Sequence, residues 1–224
     1  MKLLHCALAF AITFIAASAD SDVTAKYQAR DFSSLLVPRS EFLGYIGPNY
    51  QRLKIHFTAV MRDETDPTLY HVTGTSQVKA NRCDFAGTIT LLKITAMEKS
   101  GEAFEEYKGM NPLEVGTFSA RYDFRENPAQ NASGVFAGVM SVDWYVSAEG
   151  KLFYDDVMDA ADSYRNNQYK GLWTPYGDAT GTSKVANWGE YRIPDSAELD
   201  YGAGEFMPNP KYKHNGWDDY NPAH

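Results

Sequence analysis

The chain has 224 residues, 44% of them hydrophobic and 14% aromatic, with 21 Lys+Arg against 29 Asp+Glu and a formal charge of −8. That apolar content is too high for a disordered chain and sufficient for a packed core. Acidity without a basic cluster argues against nucleic acid or anionic lipid as the main partner, and 2 Cys allow neither a disulfide framework nor a Cys-based zinc site.

Lys2 opens a positive n-region, residues 3–16 form an apolar run short for a bilayer span, and Ala17-Ser18-Ala19 fits the small-x-small rule of signal peptidase. The expectation is a signal peptide over 1–19, cleaved before Asp20, and one exported domain over 20–224, secreted or periplasmic. His5 is the wrong neighbour for lipid attachment at Cys6. Cleavage leaves Cys83 alone in a strand-like run, where a thiol acts as a small hydrophobe. No later segment resembles a transmembrane helix.

Residues 51–62 alternate, with Leu53, Ile55, Phe57, Ala59 and Met61 set against Arg52, Lys54, His56 and Thr58. A period of two predicts a strand with one buried face. The cluster Asp63-Glu64-Thr65-Asp66-Pro67 turns the chain into a second strand over 69–80, and Asn81-Arg82 links it to a third over 83–96. Further strands are expected over 115–124, 134–147, 151–154, 168–176 and 183–191. Helix signals are few: Ser40 could cap a turn reaching Tyr45, and 156–164 could make about two turns. Pro194, Pro208, Pro210 and Pro222 favour ordered loops or an edge strand in the Pro- and aromatic-rich C-terminal segment.

Three stretches share aromatic-x-Gly followed by strand residues: Phe85-Ala86-Gly87, Phe136-Ala137-Gly138 and Tyr169-Lys170-Gly171. Glycine weakens a strand, so its repetition signals sharp bends or close backbone approach, as barrel closure demands. The predicted fold class is all-β: an antiparallel β-barrel of about eight to ten strands, with a two-sheet sandwich as the alternative.

Chemistry is harder to read. His56 and His71 fall on the outward side of adjacent strands; pairing Arg62 with Leu69 would set His71 against Val60 and His56 against Thr75, too far apart for a zinc pair. No cofactor or metal site is expected. Paired acids could serve glycoside hydrolysis, with Glu190 and Glu205 the candidates, but no Gly-x-Ser-x-Gly elbow, phosphate-binding Gly loop or His-Glu-x-x-His run is present. Asn131-Ala132-Ser133 is a glycosylation sequon on an expected loop. Trp144, Trp173, Trp188 and Trp217 all lie beyond residue 140, among many Tyr. Flat amphipathic rings beside amides and carboxylates suit a pocket for sugars or another partly apolar ligand, and suit core packing equally.

Several segments carry a resemblance: Asn166-Asn167-Gln168-Tyr169 with Gly171 and Trp173, Asn187-Trp188-Gly189-Glu190-Tyr191-Arg192-Ile193-Pro194, and Gly202-Ala203-Gly204-Glu205-Phe206. With Lys211-Tyr212, Asn215-Gly216-Trp217, Tyr70-His71-Val72 and residues 84–89, these make the chain similar to a family of uncharacterised secreted bacterial proteins. The resemblance implies export from a Gram-negative cell and a calycin-like (lipocalin-like) barrel, and carries no activity onto any of these positions.

Gly202-Ala203-Gly204 permits tight turns that bring Asp200 and Glu205 together, with Arg192 a partner for one of them. The expected site is Trp173, Trp188, Tyr191, Arg192, Asp200, Glu205 and Trp217. They would belong to a non-catalytic exported barrel that binds a small molecule or carbohydrate. An envelope protein-interaction module, such as a hydrolase inhibitor, is the alternative, and a carboxylate-dependent glycosidase a third reading.

Overall fold

Along residues 51–57 the side chains of Leu53, Ile55 and Phe57 are buried while Lys54 and His56 look outward, and this alternation builds the wall of the molecule. A computed structural model describes residues 20–99, 102–177 and 182–221; the expected signal peptide over 1–19 lies outside the described residues. Its strands are β1 (Ser21–Asp22), β2 (Leu43–Ile46), β3 (Gln51–Arg62), β4 (Leu69–Val78), β5 (Asn81–Ala96), β6 (Glu114–Glu126), β7 (Gly134–Val146), β8 (Leu152–Tyr154), β9 (Asn166–Pro175) and β10 (Lys184–Glu190). Among the described residues, eight of these (β2 to β7, β9 and β10) form an antiparallel meander that closes on itself where β10 pairs with β2. The short β1 and β8 extend it along β5 and β7. The molecule is a closed barrel and not a two-sheet sandwich.

Most strand bounds match the sequence expectation to within two residues. The pairing of β3 with β4 differs: a bulge between Phe57 and Ala59 sets Arg62 against Tyr70 and His71 against Met61, while His56 still faces Thr75. Thr58 is the inserted residue, and one extra residue shifts every pair beyond it. His71 is exposed and Nε2 meets Asp63 Oδ2 at 2.8 Å. The short run Leu43–Ile46 lacks alternation because both of its faces are buried, so it is a strand where a capped turn from Ser40 is expected.

Rings fill the barrel. Tyr169 stacks on Trp188 at 4.9 Å between centroids, and Tyr122 and Phe136 meet the same indole edge-on at 5.2 and 5.7 Å. Pairs of this kind add about 0.5–1.5 kcal/mol each beyond the area they bury. Their bulk explains the repeated glycines. Gly138 faces Gly171 across β7 and β9, and a Cβ on Gly171 would lie 2.4 Å from the Tyr122 hydroxyl.

One end of the barrel is plugged by the segment before β2. It contains α1 (Thr24–Tyr27) and α2 (Ser33–Leu36), from which Tyr27, Phe32 and Leu36 are buried, and Tyr27 packs on Trp144 at 5.0 Å. Glu190, fully buried at the end of β10, ties this plug down. Its carboxylate accepts from Arg39 N at 2.6 Å, Ser40 N at 2.8 Å, Ser40 Oγ at 3.2 Å, Tyr154 Oη at 2.9 Å and Asn167 Nδ2 at 3.3 Å.

Beside the plug, residues 156–164 form turns and no helix. The Asp155 carboxylate takes Val157 N at 3.2 Å and the Asp155 carbonyl takes the Tyr164 hydroxyl, so polar side chains hold the local chain that a helix would need. Tyr107, in the β5–β6 connection behind α3 (Glu102–Glu105), donates to Asp155 Oδ2, and Thr117 donates to Asp143 Oδ1 at 2.6 Å. Burial raises both carboxyls above their ordinary value of 3.8. The native state then binds these protons more tightly than the unfolded chain does. Their stabilising contribution is complete below the ordinary value and is lost as pH rises through the raised native pKa. Asp155→Asn is accordingly expected to gain stability relative to the parent protein as pH rises above about 4, measured as the shift in urea midpoint. A difference that does not change with pH would contradict the assignment.

After β10 the chain wraps the outside of β2. Short 3-10 turns at Ala197–Leu199 and Pro210–Asn215, and a bridge between Asp200 and Pro208, order the proline-rich tail. Leu199, Phe206, Tyr212 and Trp217 bury themselves against Leu43 and Tyr45, which covers the outer face of β2. Among the described residues no helix is long and apolar enough to cross a membrane.

Candidate functional site

The end of the barrel opposite the plug is open. There the β2–β3, β4–β5 and β6–β7 turns and the start of β10 surround a cavity of about 430 Å3. Ile46, Val78, Phe136 and Trp173 give it apolar walls; Asn49, Gln51, Asn81 and Lys184 sit among them, and Glu126 lines it from β6.

Glu126 is placed there by strand parity. It continues the inward series Phe118, Ala120, Tyr122 and Phe124, and is itself only 4% exposed. Oε2 accepts from Gly134 N at 2.7 Å and from Trp173 Nε1 at 2.9 Å, and Oε1 accepts from the Ser76 hydroxyl. The indole of Trp173 is thereby fixed with one face toward the rim, where Lys184 Nζ lies 5.2 Å from its ring centroid. Tyr176 Oη donates to the Glu126 carbonyl at 3.0 Å and closes the β6 end of the rim.

Cys83 lies beneath this end, 1% exposed, with Sγ 3.6 Å from the Asn131 carbonyl. Burial, and then the Glu126 charge, push its thiol up, which makes it a poor nucleophile and suits a packed small hydrophobe. Asn131 of the sequon is exposed on the β6–β7 turn, and Ser133 is buried with its hydroxyl on the Gln130 carbonyl at 2.9 Å.

The seven residues expected from the sequence divide among four surroundings. Trp173 lines the open mouth. Trp188 is fully buried in the ring cluster inside the barrel. Trp217 packs with Phe206 and Tyr220 in the C-terminal tail, its Nε1 donating to the Tyr50 carbonyl at 2.8 Å. Tyr191, Arg192, Asp200 and Glu205 come together near the plugged end. Arg192 Nη1 bonds Asp200 Oδ2 at 2.5 Å and the Gly202 carbonyl at 3.1 Å, and its Nη2 reaches the carbonyls of Ala203 and Gly204. Gly202 folds tightly enough that a Cβ there would sit 1.9 Å from the Glu205 carbonyl. Tyr191 meets Tyr164 edge-on at 4.8 Å. Arg192 is thus saturated by the turn that it organises. Of the glycosidase candidates, Glu190 is enclosed by donors of the plug and Glu205 is exposed on the tail.

Sequence reasoning missed Glu126, Phe136 and Lys184. The signal for Glu126 was available: an acid in register with Tyr122 and Phe124 on the apolar face of a strand. Ending that strand at Phe124 hid it. Among the described residues no group of three or more His, Cys, Asp or Glu is placed to hold a metal ion.

Fold and site together define a closed antiparallel β-barrel that is filled with rings, plugged at one end and open at the other onto a cavity with a buried carboxylate. No protein-family model, curated protein or solved structure matches the chain.

Proposed function

We propose that this protein is an exported, non-catalytic barrel of calycin-like character that holds a small, partly apolar molecule in its open mouth. The observation that carries the reading is the cavity of about 430 Å3 enclosed by Ile46, Val78, Phe136 and Trp173 above the Glu126 carboxylate. Its volume and its mix of apolar wall with a few fixed polar groups are those of small-molecule sites, which run from about 300 to 1,000 Å3. At the other end Phe32 and Leu36 fill the barrel interior. A carbohydrate would use the Trp173 face with Asn49, Gln51 and Asn81 as hydroxyl partners.

A blocking substitution tests this. Val78 lines the cavity and is partly exposed, so Val78→Trp would fill the mouth with little change to the interior. Native mass spectrometry after incubation with extracted metabolites should show a bound mass on the parent protein and none on Val78→Trp. Bound mass on both proteins, or on neither, would count against the mouth as the site.

A further inference from the structure

We infer, building on the reading of the mouth as a ligand pocket, that its ligand is a small amine whose ammonium group pairs with Glu126. The two ends of the barrel hold the two glutamates in contrasting ways. Glu190 is closed over by the chain itself, with five donors from Arg39, Ser40, Tyr154 and Asn167. Glu126 has three donors, Ser76 Oγ, Gly134 N and Trp173 Nε1, all neutral, and it borders open space. Among the described residues no Lys, Arg or His nitrogen comes within 4.0 Å of its carboxylate. A buried carboxylate without a counter-charge is costly, and a cation that reaches it from the cavity relieves that cost, whereas an anion beside Glu126 adds to it.

Trp173 supports the same sign. Its indole donates to Glu126 at 2.9 Å and so points the electron-rich ring face at the cavity rim, where Lys184 holds an ammonium 5.2 Å from the centroid. Lys184 shows that this face accepts a cation, and it is the group an incoming ammonium would displace. Ile46, Val78 and Phe136 then contact the rest of the molecule, so the ligand is an amine carried on an apolar body.

Three probes with one body and different heads decide the matter: 4-phenylbutylamine, 4-phenylbutan-1-ol and 4-phenylbutyrate, titrated calorimetrically into the full mature protein. A hydrogen bond to a charged group predicts that the amine binds about tenfold or more tighter than the alcohol, with the carboxylate weakest. Glu126→Gln keeps an acceptor for Gly134 N and Trp173 Nε1 and should bring amine and alcohol to within about twofold. Lys184→Met should tighten the amine alone, and keeps the inference testable if Glu126→Gln does not fold. Equal affinities for the three heads, or an amine preference that survives Glu126→Gln, would overturn the inference and leave the pocket standing. Failure of all three probes to bind would overturn it together with the pocket.

Discussion

Glu190→Leu is expected to lower the unfolding free energy by about 3–5 kcal/mol. The carboxylate is fully buried, and two of its donors are backbone N–H groups of Arg39 and Ser40 in the plug. Leucine fills a similar volume but accepts nothing, so the buried Tyr154 hydroxyl would remain dry and unpaired, and the amides of the exposed Arg39 and Ser40 would lose the acceptor that holds the plug. A donor stranded in the interior costs about 1–3 kcal/mol, and freeing the plug adds the loss of its packing. Burial and then the Glu190 charge push the Tyr154 hydroxyl up, so it stays a donor throughout the working pH range. Glu190→Gln should cost less, because one oxygen can still serve the two amides and the new NH2 can donate to Tyr154. The measurement is urea unfolding of the parent and both variants. A leucine variant within about 1 kcal/mol of the parent would mean the plug is held by Phe32 and Leu36 alone. Loss of the plug should also expose Trp144, which a red shift of tryptophan emission in the leucine variant would report.

Gly138→Ala should be nearly as damaging, at about 3 kcal/mol, although it adds a single methyl group. A Cβ at this position would lie 2.1 Å from the Lys170 carbonyl oxygen and 2.7 Å from the Gly171 Cα. Both are backbone atoms of β9, so β7 and β9 would have to separate along a seam that holds the barrel closed. No side chain can swing aside to make room. Gly109 is the matched control: a Cβ there meets nothing within 4 Å, and Gly109→Ala should be neutral or slightly stabilising through the unfolded chain. Thermal melts of the two alanine variants make the comparison, and equal melting temperatures would show that the barrel tolerates a wider β7–β9 spacing.

The wall of the barrel was legible because alternation is a local property. Leu53, Ile55 and Phe57 announce their face whatever lies opposite, and residues 115–124 do the same. The repeated glycines were legible in kind, since a residue without a side chain inside a strand requires close approach. The partner in that approach was not, because Gly138 and Gly171 are neighbours only across two strands. Among the candidate residues, Trp173 could be read as part of a pocket and Arg192 as a partner for Asp200. Trp188 and Trp217 could not be told apart from it, since an indole has the same local pattern in a core, under a tail or at a rim.

By itself, then, the sequence determined the long strands and their inward faces, favoured a closed wall over a sandwich and indicated an ordered tail, all from periodicity and backbone sterics within a few residues. Tertiary structure alone decided which end is open. Phe32 and Leu36 fill one mouth only because the chain before β2 folds back over it, and Leu43–Ile46 reads as a strand only once the tail covers its outer face. The same holds for the two glutamates. Glu126 and Glu190 are both acids at the ends of strands, and what separates them is whether distant backbone donors arrive to enclose the charge or leave it facing a cavity.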